Sequence, residues 1–397
     1  MSPQARAAAT SPRMVLLTLT ATLMAVTLLI GHAQAQGHGG DADRPPQADE
    51  RPTAVQVAGQ DRYATAAQAA TEAFDDPSAV VVATGWEFAD ALAGSTLGGA
   101  VQAPVLLAPG ELEGAALPDA VSNAIDELAP DTIYLLGGEG AISQQVAEAL
   151  EEHADDAAIE RVAGASRYET ALEIALTAVE QDASAGEIDI DGDVVRAAFL
   201  GTGLDFPDSV AAGPAAFATG APMLLTGPDE LHEAAETALE ELDVDHVIVL
   251  GGRAAVSDEV ISTLEELGLT VERVGLEDRW ATAAAIAERL EDEEFGFDAE
   301  HVGMVTGLDF ADALAASSYL GSIEAPLVMG DRRGSDELPE HTAEYLEARG
   351  CEIRFLQFIG GDAAVGEMVR EAALDLAACV GEEGEGSPGN GENGTPE

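Results

Sequence analysis

Apolar residues occur along this chain in two alternating kinds of segment. Short continuous runs of aliphatic and β-branched residues, at 79–84, 104–108 and 132–136, are typical of strands buried in a parallel sheet. Between these runs, at 88–101 and 120–128, small and apolar residues recur at helical spacing. The alternation predicts an α/β fold with helices on both faces of a mostly parallel sheet.

The same series of segments occurs three times. The opening segment of each copy contains an arginine, and Arg62, Arg167 and Arg279 differ in position by 105 and 112 residues. This spacing exceeds the ~20 to 50 residues of solenoid repeats, so each unit has the size of a small domain. Three such tandem units predict internal pseudo-three-fold symmetry. The predicted organisation is a leader at 1–35, a flexible linker at 36–52, units at 53–152, 158–266 and 270–380, and a tail at 381–397.

The leader has the layout of a cleaved secretory signal. Arg6 and Arg13 precede an uncharged apolar run at 14–30, and Ala33-Gln34-Ala35 supplies the small residues of a cleavage site. A retained membrane anchor is the alternative, because the run is close to the shortest length that spans a bilayer. The tail is built from Gly, Glu, Asn and Pro and is predicted to be disordered.

The charge of the chain is strongly negative. It contains 74 acidic residues and 17 basic ones, with a formal net charge of −57, and it has no lysine. The hydrophobic content of 47% is nevertheless enough for a packed core. A highly acidic surface suits concentrated salt, where self-repulsion is screened within about 3 Å near 1 M. We therefore expect an exported protein of a salt-loving organism, and the lack of a basic surface excludes nucleic acid as a partner.

An arginine at an identical place in every unit is notable in a chain so poor in basic residues. One hypothesis is a clamp, in which the guanidinium pairs with the recurring Asp90, Asp208 or Asp312 or bridges to the next unit. The other is contact with an anion or a sugar, because the planar guanidinium suits bidentate recognition of carboxylate or phosphate. The candidate residues are Arg62, Arg167 and Arg279, the aromatic residues Tyr63, Tyr168 and Trp280 that follow them, and the acids Asp90, Asp208 and Asp312.

Those acids end a recurring Thr-Gly-x-[Glu/Asp]-Phe-x-Asp turn that follows a predicted strand. Open α/β sheets bind ligands at this end of their strands, and two carboxylates in one turn could bridge Ca²⁺ or Mg²⁺ to a ligand. A helix N-cap is the simpler role for the second acid, with the Phe in the core. Gly-Gly turns at 137, 251 and 360 either offer backbone N–H groups to an anion or serve only as tight turns.

Catalytic motifs are absent from the sequence. The seven histidines occupy no recurring position, and there is no Gly-x-Ser-x-Gly, His-Glu-x-x-His or Gly-Lys-[Ser/Thr] motif. We therefore expect a non-enzymatic protein without a resident cofactor. The alternative is a carbohydrate-active or metal-dependent enzyme that relies on the acids of the turns.

Both cysteines fall in the third unit. Cys351 opens a predicted strand and Cys379 ends the helix that follows it, so the two ends come back together. An oxidising exterior would allow a disulfide, and closing a loop of this length stabilises a domain by about 3 to 4 kcal/mol. A pair of free buried thiols is the alternative.

Four motifs, taken in order, resemble those of the bacterial cell wall-binding repeat 2 family. They are the opening Val-x-Gly-x-x-Arg-Tyr-x-Thr-Ala, the Gly-x-x-Phe-x-Asp-Ala-Leu-Ala turn, the Ala-Pro-x-Leu-Leu strand and the Leu-Gly-Gly-x-x-Ala-x-Ser turn. The resemblance spans nearly all of the chain between linker and tail. It implies a compact pseudo-trimer of Rossmann-like or toprim-like units. It also implies non-covalent attachment to an anionic cell-wall polysaccharide or a teichoic-acid-like polymer.

The family's Pro-Ile-Leu-Leu signature, which the resemblance links to attachment, has counterparts in two units. They are Pro104, Leu106 and Leu107 in the first and Pro222, Leu224 and Leu225 in the second. The third unit departs from the signature at 326–329 and has Leu276 where the first two openings have glycine. We expect a secreted protein associated with the wall or surface layer, with no membrane partner after cleavage; a structural surface-layer subunit is a further alternative. Because the chain is itself acidic, binding a polyanion would require the arginines, bridging cations or high salt.

Overall fold

The computed structural model describes residues 50–379 except 113, 115, 155, 156, 191, 206 and 331–336. The predicted leader and tail, and nearly all of the predicted linker, lie outside the described residues. Within the described part of the chain, no helix is both long and apolar enough to cross a bilayer.

The described chain alternates strands and helices, as the apolar pattern predicts. The first unit contains β1 (Thr53–Val57), α1 (Arg62–Ala73), β2 (Ala79–Thr84), α2 (Ala89–Ala100), β3 (Val105–Ala108), α3 (Asp119–Leu128), β4 (Thr132–Leu136) and α4 (Gln144–His153). The second contains β5 (Ala158–Val162), α5 (Arg167–Gln181), β6 (Glu187–Ile190), β7 (Asp193–Thr202), α6 (Pro207–Val210), α7 (Gly213–Thr219), β8 (Met223–Thr226), α8 (Glu233–Glu241), β9 (His246–Leu250) and α9 (Asp258–Glu266). The third contains β10 (Thr270–Val274), α10 (Arg279–Leu290), β11 (His301–Val305), α11 (Ala311–Ser322), β12 (Leu327–Met329), α12 (Glu340–Ala348), β13 (Phe355–Ile359) and α13 (Glu367–Leu376).

Continuous apolar runs form the central strands of each sheet. Strands β2 and β4 have the predicted bounds, and every residue of β2 is buried. Strand pairing among the described residues is parallel except between β6 and β7, which form a hairpin in the second unit. The predicted α/β class with mostly parallel sheets is therefore confirmed.

Each unit contributes its opening strand to the sheet of the preceding unit. Strand β5 pairs with β4, and β10 pairs with β9. Strand β1, the first of the described chain, pairs with β13, the last. The sheets have the orders β3-β2-β4-β5, β8-β7-β9-β10 and β12-β11-β13-β1, with β6 added beside β7, so the exchange of strands is cyclic. The division of the sequence at 53–152, 158–266 and 270–380 stays a prediction, and each sheet extends across it.

The opening strands bury little apolar surface against the sheets that they join. Only the last residue of each strand is buried, and the others are partly or fully exposed. These buried residues are valines that lie in register with an apolar residue of the partner strand: Val57 with Ile359, Val162 with Leu136, and Val274 with Leu250. Backbone pairing and this single valine therefore fix each opening strand to its neighbour's sheet.

The central helices α2, α7 and α11 pack on one another. Ser95, Gly213 and Ser317 occupy the same position in the three units, and the hydroxyls of both serines lie beside Gly213. Gly99 and Gly321 leave room for the backbone of α7. A single cluster of buried apolar residues extends through all three units. The pseudo-three-fold relation stays a prediction, which the cyclic strand exchange supports.

Hydroxyl groups of these central helices bind the start of a neighbouring unit's outer strand. The Val105 N–H donates to Ser318 Oγ at 3.2 Å, and the Met223 N–H donates to Thr96 Oγ1 at 3.0 Å. The Thr96 hydroxyl in turn donates to the Ala221 carbonyl at 2.9 Å. All three bonds are buried and join different units, so the Ala-Pro-x-Leu-Leu strands belong to the contacts between units.

Residues near the two ends of the described chain also meet. Cys351 and Cys379 form a disulfide with Cα atoms 4.2 Å apart, and the following strand begins four residues after Cys351, at Phe355. The Cys379 N–H donates to the Glu50 carbonyl at 3.1 Å. Arg51 pairs with Glu371 of α13 at 2.9 Å. These contacts reinforce the pairing of β1 with β13.

Replacing Ser318 by alanine tests the contribution of the buried hydroxyl bonds between units. We expect Ser318→Ala to lower the free energy of unfolding by about 1 to 3 kcal/mol, because the buried Val105 N–H loses its partner. Ser317→Ala is the matched control, since the Ser317 hydroxyl donates within its own helix, to Ala313. Urea unfolding at fixed salt measures both, and equal effects of the two variants would contradict the assignment.

Candidate functional site

Each unit has a turn at the carboxyl end of its central strand, at 84–90, 202–208 and 306–312, which we call the strand-end turns. A buried threonine hydroxyl begins each turn and accepts the N–H of the residue two positions later. These bonds are Trp86 to Thr84 at 3.3 Å, Leu204 to Thr202 at 3.3 Å and Leu308 to Thr306 at 3.1 Å. The recurring threonine therefore shapes the turn and is not exposed to a ligand.

The recurring arginine, at the first position of the helix that follows the opening strand, binds the strand-end turn of its own unit. Its Nη1 donates to the carbonyl of the turn's glycine in all three units. The distances are 2.5 Å from Arg62 to Gly85, 2.8 Å from Arg167 to Gly203 and 2.7 Å from Arg279 to Gly307. Charged donors make strong bonds to carbonyl groups, so this contact fixes the side chain.

The same guanidinium also reaches the strand-end turn of the preceding unit. Its Nη2 faces the first acid of that turn, at 3.4 Å from Arg62 to Asp309, 3.5 Å from Arg167 to Glu87 and 3.9 Å from Arg279 to Asp205. The guanidinium carbons of Arg62 and Arg167 lie 5.5 Å from the ring centroids of Phe310 and Phe88, which belong to those same turns. The three arginines and three turns thus form a closed series of contacts, which we call the arginine–turn ring.

The clamp hypothesis is therefore right that each arginine bridges two units, although the neighbour is the preceding unit and not the next one. It is wrong about the acid, because the close ion pairs involve the first acid of each turn and not Asp90, Asp208 or Asp312. About one third of each arginine side chain remains exposed, at 33% for Arg62, 35% for Arg167 and 30% for Arg279. The clamp thus leaves part of each arginine side chain accessible to solvent.

The second acid of each turn has a structural position of its own. Each of these acids is the second residue of its helix: Asp90, Asp208 and Asp312. The predicted N-cap role is therefore wrong. The N-cap residues of α2 and α11 are Phe88 and Phe310. Each carboxylate packs against the first glycine of a Gly-Gly turn, where φ is +90° at Gly137, +97° at Gly251 and +100° at Gly360. A side chain there would be strained and would collide with the carboxylate, which explains the glycine.

Burial raises the pKa of all three carboxyls, and the arginine of the following unit opposes that shift. The Thr282 hydroxyl donates to Asp208, and the Thr65 hydroxyl donates to Asp312. Thr65 also accepts the Gly59 N–H at 3.1 Å, and Thr282 accepts the Leu276 N–H at the same distance. Leu276 therefore keeps the bond made by the glycine it replaces, and its side chain is exposed.

The aromatic residues beside the arginines pack against the turns. Tyr63, Tyr168 and Trp280 are half-buried and lie directly on the turn glycines Gly85, Gly203 and Gly307. The Tyr168 ring is also stacked on His232, with centroids 4.0 Å apart. These contacts hold the glycine end of each turn, so the aromatic residues support the arginines and present only part of their surface.

The Pro-x-Leu-Leu signature does not face a ligand. The leucines lie in β3 and β8, and each proline directly precedes its strand. All six side chains are buried: Pro104, Leu106, Leu107, Pro222, Leu224 and Leu225. The structure therefore contradicts their expected direct contact with polymer. These strands lie at the contacts between units, and the signature is accounted for by packing.

Two sets of residues in this region escape the sequence-based prediction. Arg161 and Arg273, in the opening strands of the second and third units, donate to the carbonyls of Gly137 and Gly251 at 2.7 Å and 2.9 Å. Both arginines lie in a shared Glu-Arg-Val sequence, which could have identified them. The first unit has Gln56 at the equivalent position. The second set is the exposed apolar residue that follows each turn glycine. In the sequence, these residues share only a large apolar side chain. The set comprises Trp86, Leu204 and Leu308.

A groove of about 710 Å³ lies where the second and third units meet. Its lining includes Asp205, Leu276, Arg279, Trp280 and Leu308. The residues that line the groove thus include an arginine, carboxylates and apolar side chains.

The described residues contain no group of three or more Asp, Glu, His or Cys side chains that could hold a metal ion. The first acid of each turn faces an arginine, and the second packs against a glycine. This geometry gives no support to a cation held by the two acids of one turn.

The sequence profile of the family Cell wall binding domain 2 (CWB2) matches three segments of the chain, at residues 56–147, 161–261 and 273–370. The N-acetylmuramoyl-L-alanine amidase LytC of Bacillus subtilis is 25% identical over 214 residues, covering 54% of this chain and 38% of that protein. An amidase enhancer of the same species is 29% identical over 319 residues, covering 80% of this chain and 40% of that protein. The chain thus spans about two fifths of the length of these curated relatives.

Solved structures show the same fold. Cwp8 from Clostridium difficile has a TM-score of 0.67 at 26% identity, covering 82% of this chain and 51% of that one. Cwp6 from the same organism has a TM-score of 0.68 at 17% identity, covering 85% of this chain and 50% of that one. The likeness to Cwp6 concerns the fold alone.

Replacing one of the ring arginines should lower stability mainly through loss of its hydrogen bond to the glycine carbonyl. We expect Arg167→Ala to lower the free energy of unfolding by about 1.5 to 3 kcal/mol, because a charged hydrogen bond to Gly203 is lost. Glu87→Gln should cost less than about 1 kcal/mol, since that ion pair is largely exposed. Chemical unfolding of both variants measures this, and a larger loss in Glu87→Gln would contradict it.

Burial of Asp90 also predicts a pH dependence. A carboxyl whose pKa is raised on folding contributes stability below its ordinary value of 3.8, and that contribution is lost as pH rises through the folded pKa. Relative to Asp90→Asn, which does not titrate, the wild type should therefore lose free energy of unfolding as pH rises from 3 to about 7. Unfolding curves across this pH range measure the difference, and a difference that grows in favour of the wild type would refute the sign.

Proposed function

Because the chain belongs to the Cell wall binding domain 2 family, it is a cell wall-binding protein, and we propose that it attaches without a covalent bond to an anionic secondary polymer of the wall. We also propose that it is secreted, non-catalytic and associated with the wall or surface layer. The observation that carries the proposal is the arginine–turn ring. It holds a partly exposed guanidinium at the same place in each unit of a chain with 74 acidic residues.

The ion pairs of the ring leave the guanidinium open to exchange. Their distances of 3.4, 3.5 and 3.9 Å exceed the ~2.8 Å of a well-formed charge-assisted bond. The partner acids are more than half exposed, so solvent screens these ion pairs and each contributes little to stability. A phosphate or carboxylate of the polymer can therefore replace the acid while the guanidinium keeps its bond to the glycine carbonyl.

Repetition compensates for the weakness of each contact. Three guanidiniums on one rigid ring can engage successive anionic groups of a single polymer, so that later contacts form at high effective concentration. The overall negative charge opposes the encounter, but concentrated salt shortens the range of that repulsion to a few ångströms. Short-range bidentate contacts persist under those conditions.

The alternative of a carbohydrate-active or metal-dependent enzyme finds no specific support in the described residues. The recurring acids are either paired with arginine or packed against glycine, and the histidines of the described chain occupy no repeated position.

Retention on purified cell walls tests the proposal. The test variant combines Arg62→Gln, Arg167→Gln and Arg279→Gln. The control variant has the same change of charge at Arg51, Arg253 and Arg370, which pair with acids outside the ring. We expect the test variant to lose at least tenfold in retention and the control to resemble the wild type, with circular dichroism confirming that both are folded.

Two outcomes would overturn different parts of the proposal. Equal retention of the wild type and the test variant would refute the role of the arginines. Absence of retention of the wild type, or unchanged retention on walls stripped of anionic polymer, would refute attachment to that polymer. A chelator included in a parallel assay shows whether bridging divalent cations take part.

A further inference from the structure

The position after the turn glycine carries a large exposed apolar side chain in every unit. The exposed fractions are 52% for Trp86, 65% for Leu204 and 37% for Leu308. A single exposed apolar residue is ordinary, but the same position in all three strand-end turns is not explained by chance exposure. The turn geometry requires only the backbone N–H at this position, because the recurring threonine accepts it. The hydrogen-bond geometry of the turn therefore does not account for the size of these side chains.

Trp86 differs from the two leucines because its indole is held in place. The Trp86 side chain lies directly against the backbone of Gly110, where a Cβ would come within 2.9 Å of the ring. It is also hydrogen-bonded to the Tyr63 hydroxyl. The ring is therefore fixed on one side while about half of the residue remains exposed. A fixed aromatic surface binds at a low cost in conformational entropy.

The turn that carries Trp86 is bounded by two of the ring's arginines. Arg62 donates to the carbonyl of the preceding residue, Gly85, and Arg167 pairs with the following residue, Glu87. The residues on either side of Trp86 in the chain thus each contact a partly exposed arginine. This combination complements a pyranose ring, which has an apolar C–H face and, in an anionic glycan, a negative substituent at its edge.

We propose that Trp86 is a stacking platform for one pyranose ring of an anionic glycan, and that it makes the first unit's turn the strongest of the three binding positions. This inference rests on the proposed attachment to a wall polymer and names its chemistry as sugar-based. Stacking on the indole supplies apolar contact, and the neighbouring guanidiniums bind the anionic substituent. The leucines at the other two turns offer a smaller and more flexible contact. Because hot spots of binding are enriched in Trp and Arg, this pairing sets the affinity.

The indole alone is too small for a protein partner. A stable protein interface buries at least about 1,000 Å² in total, far more than one half-exposed tryptophan provides. Charge complementarity also favours a negatively charged occupant beside the two arginines. A sugar ring matches the size of the exposed indole.

Trp86→Leu is the direct test, because leucine is the residue that the other two turns carry. The ligand is the anionic polysaccharide fraction released from purified walls, and calorimetry gives its affinity. We expect Trp86→Leu to weaken binding by about five- to tenfold, since leucine retains part of the apolar area. The reverse change, Leu204→Trp, should leave binding equal or tighter. Both variants should remain folded under the conditions of the binding assay, which circular dichroism checks, because the residue that is changed is 52% exposed at Trp86 and 65% exposed at Leu204.

Fluorescence provides a second and independent readout. The chain has two tryptophans. The variant Trp280→Tyr has the residue found at this position in the first two units, and its tryptophan fluorescence comes from Trp86 alone. The polysaccharide should shift the emission of Trp280→Tyr to shorter wavelength with saturation. Equal affinity of Trp86→Leu and the wild type, or emission that does not respond while the protein is bound, would overturn this inference and leave wall attachment intact. Absence of binding by the wild type would refute the attachment itself.

Discussion

Each of the three arginines is shared between two turns, and the assembly of the units depends on this sharing. Arg167 binds the carbonyl of Gly203 in its own unit and faces Glu87 in the preceding one. The opening strand that precedes each arginine lies in the sheet of the preceding unit, and the helix that begins with it packs in its own. The arginine therefore stands at the crossing point of the strand exchange. The exchange is cyclic, so the same contact recurs where β1 closes the ring on β13.

Most of the other recurring residues serve this architecture. The second acid of each turn requires the glycine that it packs against, and the hydroxyls of Thr65 and Thr282 connect such acids to the opening segments of the next unit. Two of the outer strands, β3 and β8, are bound by hydroxyls of a neighbouring unit's central helix. Recurrence in the sequence thus reflects packing first. The exposed part of the arginines and the apolar residue of each strand-end turn remain available for a ligand.

The sequence predicts the parts of the fold that depend on local apolar content. Strands β2 and β4 are continuous apolar runs, and their bounds match the prediction. The opening strands were not predicted, because a single buried valine gives no local signal and their partner strand belongs to another unit. The arginine bridge follows from its recurrence, whereas the choice between first and second acid depends on burial. The Pro-x-Leu-Leu residues show the same limit: a shared motif indicates that residues matter, and only the structure shows that Leu106 and Leu107 are buried.

The central claim is that the arginines of the ring both hold the units together and bind the anionic polymer. Nitrogen-15 NMR of the arginine side chains, during titration with the anionic wall polysaccharide at high salt, tests both roles at once. The account predicts that the Nη1–H signals of Arg62, Arg167 and Arg279, which donate to glycine carbonyls, are protected from exchange before addition, and that the guanidinium signals shift on binding. The signal of Arg253, whose side chain is 80% exposed and lies outside the ring, should not shift. Unchanged signals for the three ring arginines, or equal shifts of all exposed arginines, would contradict the account.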